Sequence, residues 1–318
     1  MPKEKTPSTT VYQFLKTPLL LEYPKTDFLR NNYPYIILTL TVIIFLIPKI
    51  FIFFNHSFQV INYPYQLDYD EGFNLSASWQ WSHLVNIYLP NTPDHFIAAG
   101  YPPLYYLLSA SLIKFFGMSL QGGRIVGFVS SLSIGLLIAL LSHNLITQYF
   151  AEKKGSWITS WIIGVSWFAL APVQIWSSLY KQDMVGLALA LFGLYLLDYK
   201  NPTKMSLFLA AIIFTLAILT KQNMLIAPVS AVLFLLFQNW RQALGLVAWC
   251  SGLLGLTWVL LQQYSQGGAF EHIFLIQAMV SWRWEDFTNL LFPLLVDHWA
   301  FLGLSVFFLV FRLIKQPF

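Results

Sequence analysis

Pro102-Pro103-Leu104-Tyr105-Tyr106-Leu107-Leu108-Ser109-Ala110-Ser111-Leu112-Ile113-Lys114-Phe115-Phe116 is the stretch on which the topology of the chain turns. Its apolar part, residues 104–116, is thirteen residues long, opened by a proline pair and interrupted by Ser109, Ser111 and Lys114. A helix needs about 20 apolar residues to cross the hydrocarbon layer, so this length predicts a helix lying along the interface. Charge tests that reading. If 104–116 stays on one side, Lys153, Lys154, Lys200, Lys204, Arg241, Arg312 and Lys315 fall on the same side as Lys3, Lys5, Lys16, Lys25 and Arg30, which puts twelve of the 18 basic residues inside. If it crosses, all of the later ones move outside. The bias of lysine and arginine toward the cytoplasmic side selects the first arrangement.

The rest of the chain agrees with an all-α polytopic membrane protein. Of its 318 residues 57% are hydrophobic, 18% aromatic and only 10% charged, far too apolar for a soluble domain. A formal charge of +4, scattered along the chain, argues against nucleic acid as a partner. The single Cys250 permits no intrachain disulfide, and the six histidines lack metal-ligand spacing. Residues 1–33 read as a cytoplasmic tail and 34–318 as a transmembrane domain, with an uncleaved first span at 35–54. Further spans at 125–145, 157–176, 184–197, 205–220, 224–237, 243–261 and about 290–310 bring the count to about eight transmembrane helices, with the C-terminus inside. The first outer loop, 55–123, is extended, and a second outer loop, 262–289, is expected to carry an interfacial helix over 270–284. Spans 184–197 and 205–220 are short, so their outer ends, marked by Asp183 and Lys221, are expected to sit below the membrane surface.

The first outer loop contains Asp68-Tyr-Asp70-Glu71-Gly72, the most acidic spot in the chain. Carboxylates beside a membrane are either solvated, used as helix caps, or held in a polar cavity for a purpose. Asp68 precedes the expected helix and is the natural cap, while Asp70 and Glu71, on successive positions, point about 100° apart. Arg124, Lys181 and Lys221 stand at outer helix ends. Each alone reads as a side chain snorkelling to the headgroups. Together with carboxylates at the same level they suit a different purpose: cations hold a lipid phosphate while a carboxylate takes a proton from an attacking hydroxyl. Asp68, Asp70 and Asp183 could hold a divalent cation, although nothing in the sequence requires one, and no cofactor is needed. A lipid or solute transporter would use the same charges for permeation. That reading expects internal repeats and charges near mid-bilayer, and neither is visible.

Asp70-Glu71-Gly72, then Tyr101-Pro102-Pro103-Leu104-Tyr105-Tyr106, then Gly123-Arg124-Ile125, Tyr180-Lys181-Gln182-Asp183-Met184 and Leu219-Thr220-Lys221 occur in this order. Over residues 35–284 the order and spacing resemble the C-type (GT-C) membrane glycosyltransferases, most closely the branch of protein O-mannosyltransferases and lipid A aminoarabinose transferases. The resemblance implies an inverting glycosyltransferase of the cell envelope that moves a sugar from a polyprenyl-phosphate carrier to a lipid, glycan or protein acceptor. It implies two juxtamembrane helices in the first outer loop, near 73–85 and 104–116, Asp70 and, in a second acidic motif, Asp183 as catalytic residues, and Lys221 with Arg124 on the phosphate. Asp68, Glu71, Tyr101 and Lys181 complete the substrate-binding set. It further implies the plasma (inner) membrane, a cytoplasmic N-terminus and a site on the outer face. Gly100-Tyr101 stand where that family often has His or Lys, and Lys181 replaces a frequent Arg. The chain stops where relatives usually continue, as a fragment or a minimal member would. A non-catalytic subunit built on the same fold is the remaining alternative.

Overall fold

The structure, a computed structural model, describes residues 28–94, 96–149, 155–197, 202–279, 283–285, 287–289, 291, 292, 295, 296 and 303. The expected tail up to residue 27, Lys153, Lys154, Lys200, Arg312, Lys315 and most of the last predicted span lie outside the described residues. The structure is 81% helical, with no strand among the described residues. The chain divides into two compact units, Met1–Ile273 and Phe274–Phe318.

Helix α1, Phe28–Asn62, runs past the predicted end of the first span at 54, so the loop expected from 55 begins at 63. Two helices stand in that loop: α2, Tyr69–Ser82, begins and ends earlier than the helix expected near 73–85, and α3 is Pro103–Phe116. Proline in the first turn of α3 presets the backbone, and Gly117, at φ 65°, ends the helix in a conformation glycine adopts without strain. Helix α4 follows at Gln121–Tyr149. The predicted span 157–176 is not one helix. Its residues form α5, Ser156–Ser166, a tight turn at Trp167–Ala169, and α6, Ala171–Trp176. Leu170 is extended (φ −72°, ψ 126°) and Pro172 in the first turn of α6 has no N–H to continue the ladder. Helices α7, Asp183–Leu196, α8, Lys204–Thr220, α9, Ile226–Gln238, and α10, Trp240–Tyr264, complete the larger helices. Thr203 caps α8 by accepting from Ser206 N at 3.1 Å, and Asn239 caps α10 through Arg241 N at 3.1 Å. The interfacial helix expected over 270–284 begins instead as short turns of unequal pitch, Gly268–Phe270, Glu271–Leu275 and Ile276–Ala278.

Among the described residues, three helical stretches are long and apolar enough to cross a membrane, Thr39–Asn62, Gln121–Gln148 and Trp240–Tyr264, and four shorter apolar helices accompany them. The protein is therefore an all-helical membrane protein. Helices α7 to α10 share a core around Phe214, Leu235 and Leu246, lined by Ala210, Ala211, Ala231 and Ala243. Small residues let helix backbones approach where lipid offers no hydrophobic contrast. The same device positions the site. Gly127 of α4 lies against the 177–180 segment so closely that a Cβ would come 2.8 Å from Ser177 O, and a Cβ on Gly123 would run into the Tyr180 ring.

Candidate functional site

Glu71 and Arg124 form a fully buried ion pair, both side chains 0% exposed. The guanidinium donates from Nε to Glu71 Oε1 (2.9 Å) and from Nη2 to Glu71 Oε2 (2.8 Å), a two-pronged geometry that only arginine offers. Its remaining N–H groups reach Val60 O (2.7 Å), Tyr63 O (2.6 Å) and Tyr65 O (2.9 Å), so all five donors are taken. Glu71 also accepts from Leu67 N at 2.7 Å and from Tyr180 N at 2.8 Å. This corrects two expectations. Arg124 has no donor left for a lipid phosphate and Glu71 no lone pair left for a substrate. The pair fastens the end of α1, the 63–67 loop, α2, α4 and the 180 segment to one another.

Burial raises the Glu71 carboxyl, but the bonds from Arg124, Leu67 and Tyr180 outweigh it and hold the group below the ordinary glutamate range. A depressed carboxylate stabilises the fold above its unfolded value, and that stability is lost as pH falls through the folded value. Thermal unfolding of purified protein is thus expected to move to lower temperature on acidification below the ordinary glutamate range. Glu71→Gln should start less stable and show a flatter acid limb.

The acidic residues ahead of and inside α2 behave differently. Asp68 is the N-cap, as expected, accepting from Asp70 N at 3.0 Å. It also takes Lys181 Nζ at 2.7 Å, and Lys181 lies 3.2 Å from Asp70 Oδ2. Lys181 is held over the Trp176 ring at 4.2 Å. Burial pulls the Lys181 ammonium down, yet the two carboxylates outweigh it and raise its pKa, so it stays charged. Tyr101 hydroxyl donates to Asp70 Oδ2 at 3.4 Å, and its own ionisation is pushed up by burial and then by the Asp70 charge. Tyr101 also meets the second couple: Lys221 Nζ stands 5.5 Å from its ring centroid and 2.6 Å from Asp183 Oδ1. Asp183 is the first residue of α7 and Lys221 directly follows α8, as the short spans predict.

Five of the eight residues singled out in the sequence therefore meet around Tyr101, in two acid–lysine pairs: Asp70 with Lys181, and Asp183 with Lys221. Asp68 supports the first pair. The three aspartates do not gather as a cation site, because a lysine stands against each, and no cluster of three or more metal-ligating side chains occurs among the described residues.

Several residues that hold this site carry no signal in the sequence. Asn74, one turn beyond Asp70, donates to Tyr180 O at 3.0 Å and to Gln182 Oε1 at 3.4 Å. With Glu71 on Tyr180 N, it clamps both sides of the residue before Lys181. Gln222 donates to Gly100 O at 3.5 Å and Ile273 O at 3.0 Å, and Tyr88 hydroxyl donates to Tyr101 O at 2.6 Å. Among the described residues, Asp183 Oδ2, Gln182 Nε2 and Gln222 Oε1 are buried without a hydrogen-bond partner. Such atoms are costly to leave unpaired and are natural places for substrate hydroxyls. A side-chain amide directly beside each acid–lysine motif was the one available hint.

No protein-family model, curated protein or solved structure matches this chain. The geometry of the site is what its function has to be read from.

Proposed function

We propose that this protein is an inverting glycosyltransferase of the C-type membrane class, transferring a sugar from a polyprenyl-phosphate carrier to an acceptor on the outer face of the plasma membrane. The observation that carries the reading is the pair of acid–lysine couples that both meet Tyr101, Asp70 at its hydroxyl and Lys221 over its ring, beside the ends of apolar helices. One acid and one cation have to act at different atoms in this reaction. Asp70 takes the proton from an acceptor hydroxyl or amine as that atom bonds to the anomeric carbon. The bond from the anomeric carbon to the phosphate oxygen breaks, and its electron pair leaves with the polyprenyl phosphate. Lys221, freed from Asp183, neutralises that charge. Asp183 then faces the acceptor, and Lys181 with Tyr101 holds Asp70 in orientation. With about eight spans, the N-terminus is cytoplasmic and α2 and α3 lie along the outer surface.

The decisive assay incubates purified protein with labelled polyprenyl-phosphate sugars and follows loss of the lipid-linked label. Conversion in the wild type, lost in Asp70→Asn, supports the reading; a wild type inert toward every such donor sinks it. Lys221→Ala is expected to raise the KM for donor about ten- to hundredfold, the range of one charge-assisted hydrogen bond, while leaving thermal stability near wild type. Lys221→Arg should keep part of the affinity. Equal donor affinity in wild type and Lys221→Ala would remove Lys221 from the phosphate.

A further inference from the structure

The end of α1, the 63–66 loop, Gly72 and Leu75 of α2, and the 118–121 turn enclose a cleft of about 470 Å³. It is separate from the acid–lysine couples, because Gly72 stands two positions beyond Asp70 and two positions on a helix turn a side chain through about 200°. The cleft lies at the membrane boundary, since the apolar stretches Thr39–Asn62 and Gln121–Gln148 end and begin there.

Among the described residues that line it, none carries a charge. Its polar groups include the carboxamides of Gln66 and Gln121 and that of Asn62, whose Nδ2 already donates to Phe58 O at 2.8 Å, and its aromatic surface comes from Tyr63 and Tyr65. The two rings stand edge to face at 5.7 Å, 44% and 70% exposed. The backbone beneath them is locked by the buried pair: Arg124 holds Tyr63 O at 2.6 Å and Tyr65 O at 2.9 Å, and Glu71 holds Leu67 N at 2.7 Å. A buried ion pair is a costly way to stabilise a fold but an effective way to set one geometry, and the geometry it sets here is the loop that carries the rings. Gly72 lets the Gln66 carboxamide lie against α2, since a Cβ there would come 2.6 Å from Gln66 Oε1.

An interfacial belt of aromatics accounts for two tyrosines at a helix end. It does not account for a cleft, three carboxamides and a backbone fastened below them. An anionic ligand would find no counter-charge on these walls, and an alkyl chain would pack on Pro64, Leu75, Met118 and Leu120 but leave the carboxamides unsatisfied. A sugar ring matches the lining: its C–H face stacks on a tyrosine and its hydroxyls exchange hydrogen bonds with neutral amides.

We propose that this cleft binds an uncharged saccharide at the membrane surface, at a site distinct from the acid–lysine couples and independent of whether those couples transfer sugar. The test uses the full chain in lipid nanodiscs on an array of neutral and of uronate- or sulfate-bearing oligosaccharides, followed by saturation-transfer NMR with the best neutral binder. Saturable binding of a neutral oligosaccharide is expected, weakened about tenfold or more in Tyr65→Ala, an exposed position whose truncation leaves the fold intact. Asp70→Asn should bind it as the wild type does. No neutral binder on the array, a preference for the anionic glycans, or binding indifferent to Tyr65→Ala would each overturn the proposal. So would native mass spectrometry showing a phospholipid retained by the wild type and lost from Tyr65→Ala.

Discussion

Asp70→Asn is expected to lose sugar transfer by about 10²- to 10⁴-fold, the usual contribution of a positioned general base, while still binding the lipid-linked donor. The amide is isosteric and keeps a carbonyl oxygen where Asp70 Oδ2 now meets Lys181 Nζ at 3.2 Å and the Tyr101 hydroxyl at 3.4 Å. What it cannot do is accept the acceptor's proton. Asp68→Asn has a different expected signature, because Asp68 caps α2 and takes Lys181 at 2.7 Å. It should lower stability more than turnover. Asp183→Asn should lower both acceptor use and rate, since Asp183 is the carboxylate that faces the acceptor once Lys221, now 2.6 Å away, turns to the phosphate. Single-turnover transfer at matched amounts of folded protein separates the three. An active Asp70→Asn beside a dead Asp68→Asn would move the base to Asp68.

Arg124→Met is expected to cost stability rather than donor affinity, by about 3–5 kcal/mol, the usual result of removing one member of a buried ion pair. Glu71 would remain 0% exposed without its counter-charge, and the carbonyls of Val60, Tyr63 and Tyr65 would lose their donor together. Arg124→Lys is not conservative here, since an ammonium cannot span two carboxylate oxygens and three carbonyls. Thermal unfolding in detergent reads the effect. The double variant Arg124→Met/Glu71→Leu should recover part of the loss, because no uncompensated charge is left buried. A normally stable Arg124→Met with weakened donor binding would instead return Arg124 to the phosphate.

The two outcomes bear on one contrast within a single acidic stretch. Asp70 and Glu71 are neighbours in the chain, yet one lines the couples around Tyr101 and the other is sealed into the scaffold. Adjacent positions on a helix point about 100° apart, so a sequence shows that they differ but not which of them faces protein.

Read alone, the sequence determined what depends on local composition and on residues close together in the chain. Apolar content made the protein an all-helical membrane protein, and that holds. Asp68 as the cap of α2, the helix at 103–116 opened by its proline pair, and Asp183 and Lys221 at the ends of short apolar helices all follow from capping, ring geometry and length. The same local signals failed where an average hid a single residue: Pro172 sits in an apolar stretch that reads as one span, and the missing N–H divides it at Leu170. Only the tertiary structure decided which charges are free to act. Arg124 looks from its place at a helix end like Lys221, but its acceptors come from Val60, Tyr63, Tyr65 and Glu71, more than fifty residues earlier. The clamps on the site, Asn74 on Tyr180 and Gln222 on Gly100, likewise join segments about a hundred residues apart. Hydrogen bonds of that reach depend on how helices pack around Gly123 and Gly127, and no spacing along the chain records them.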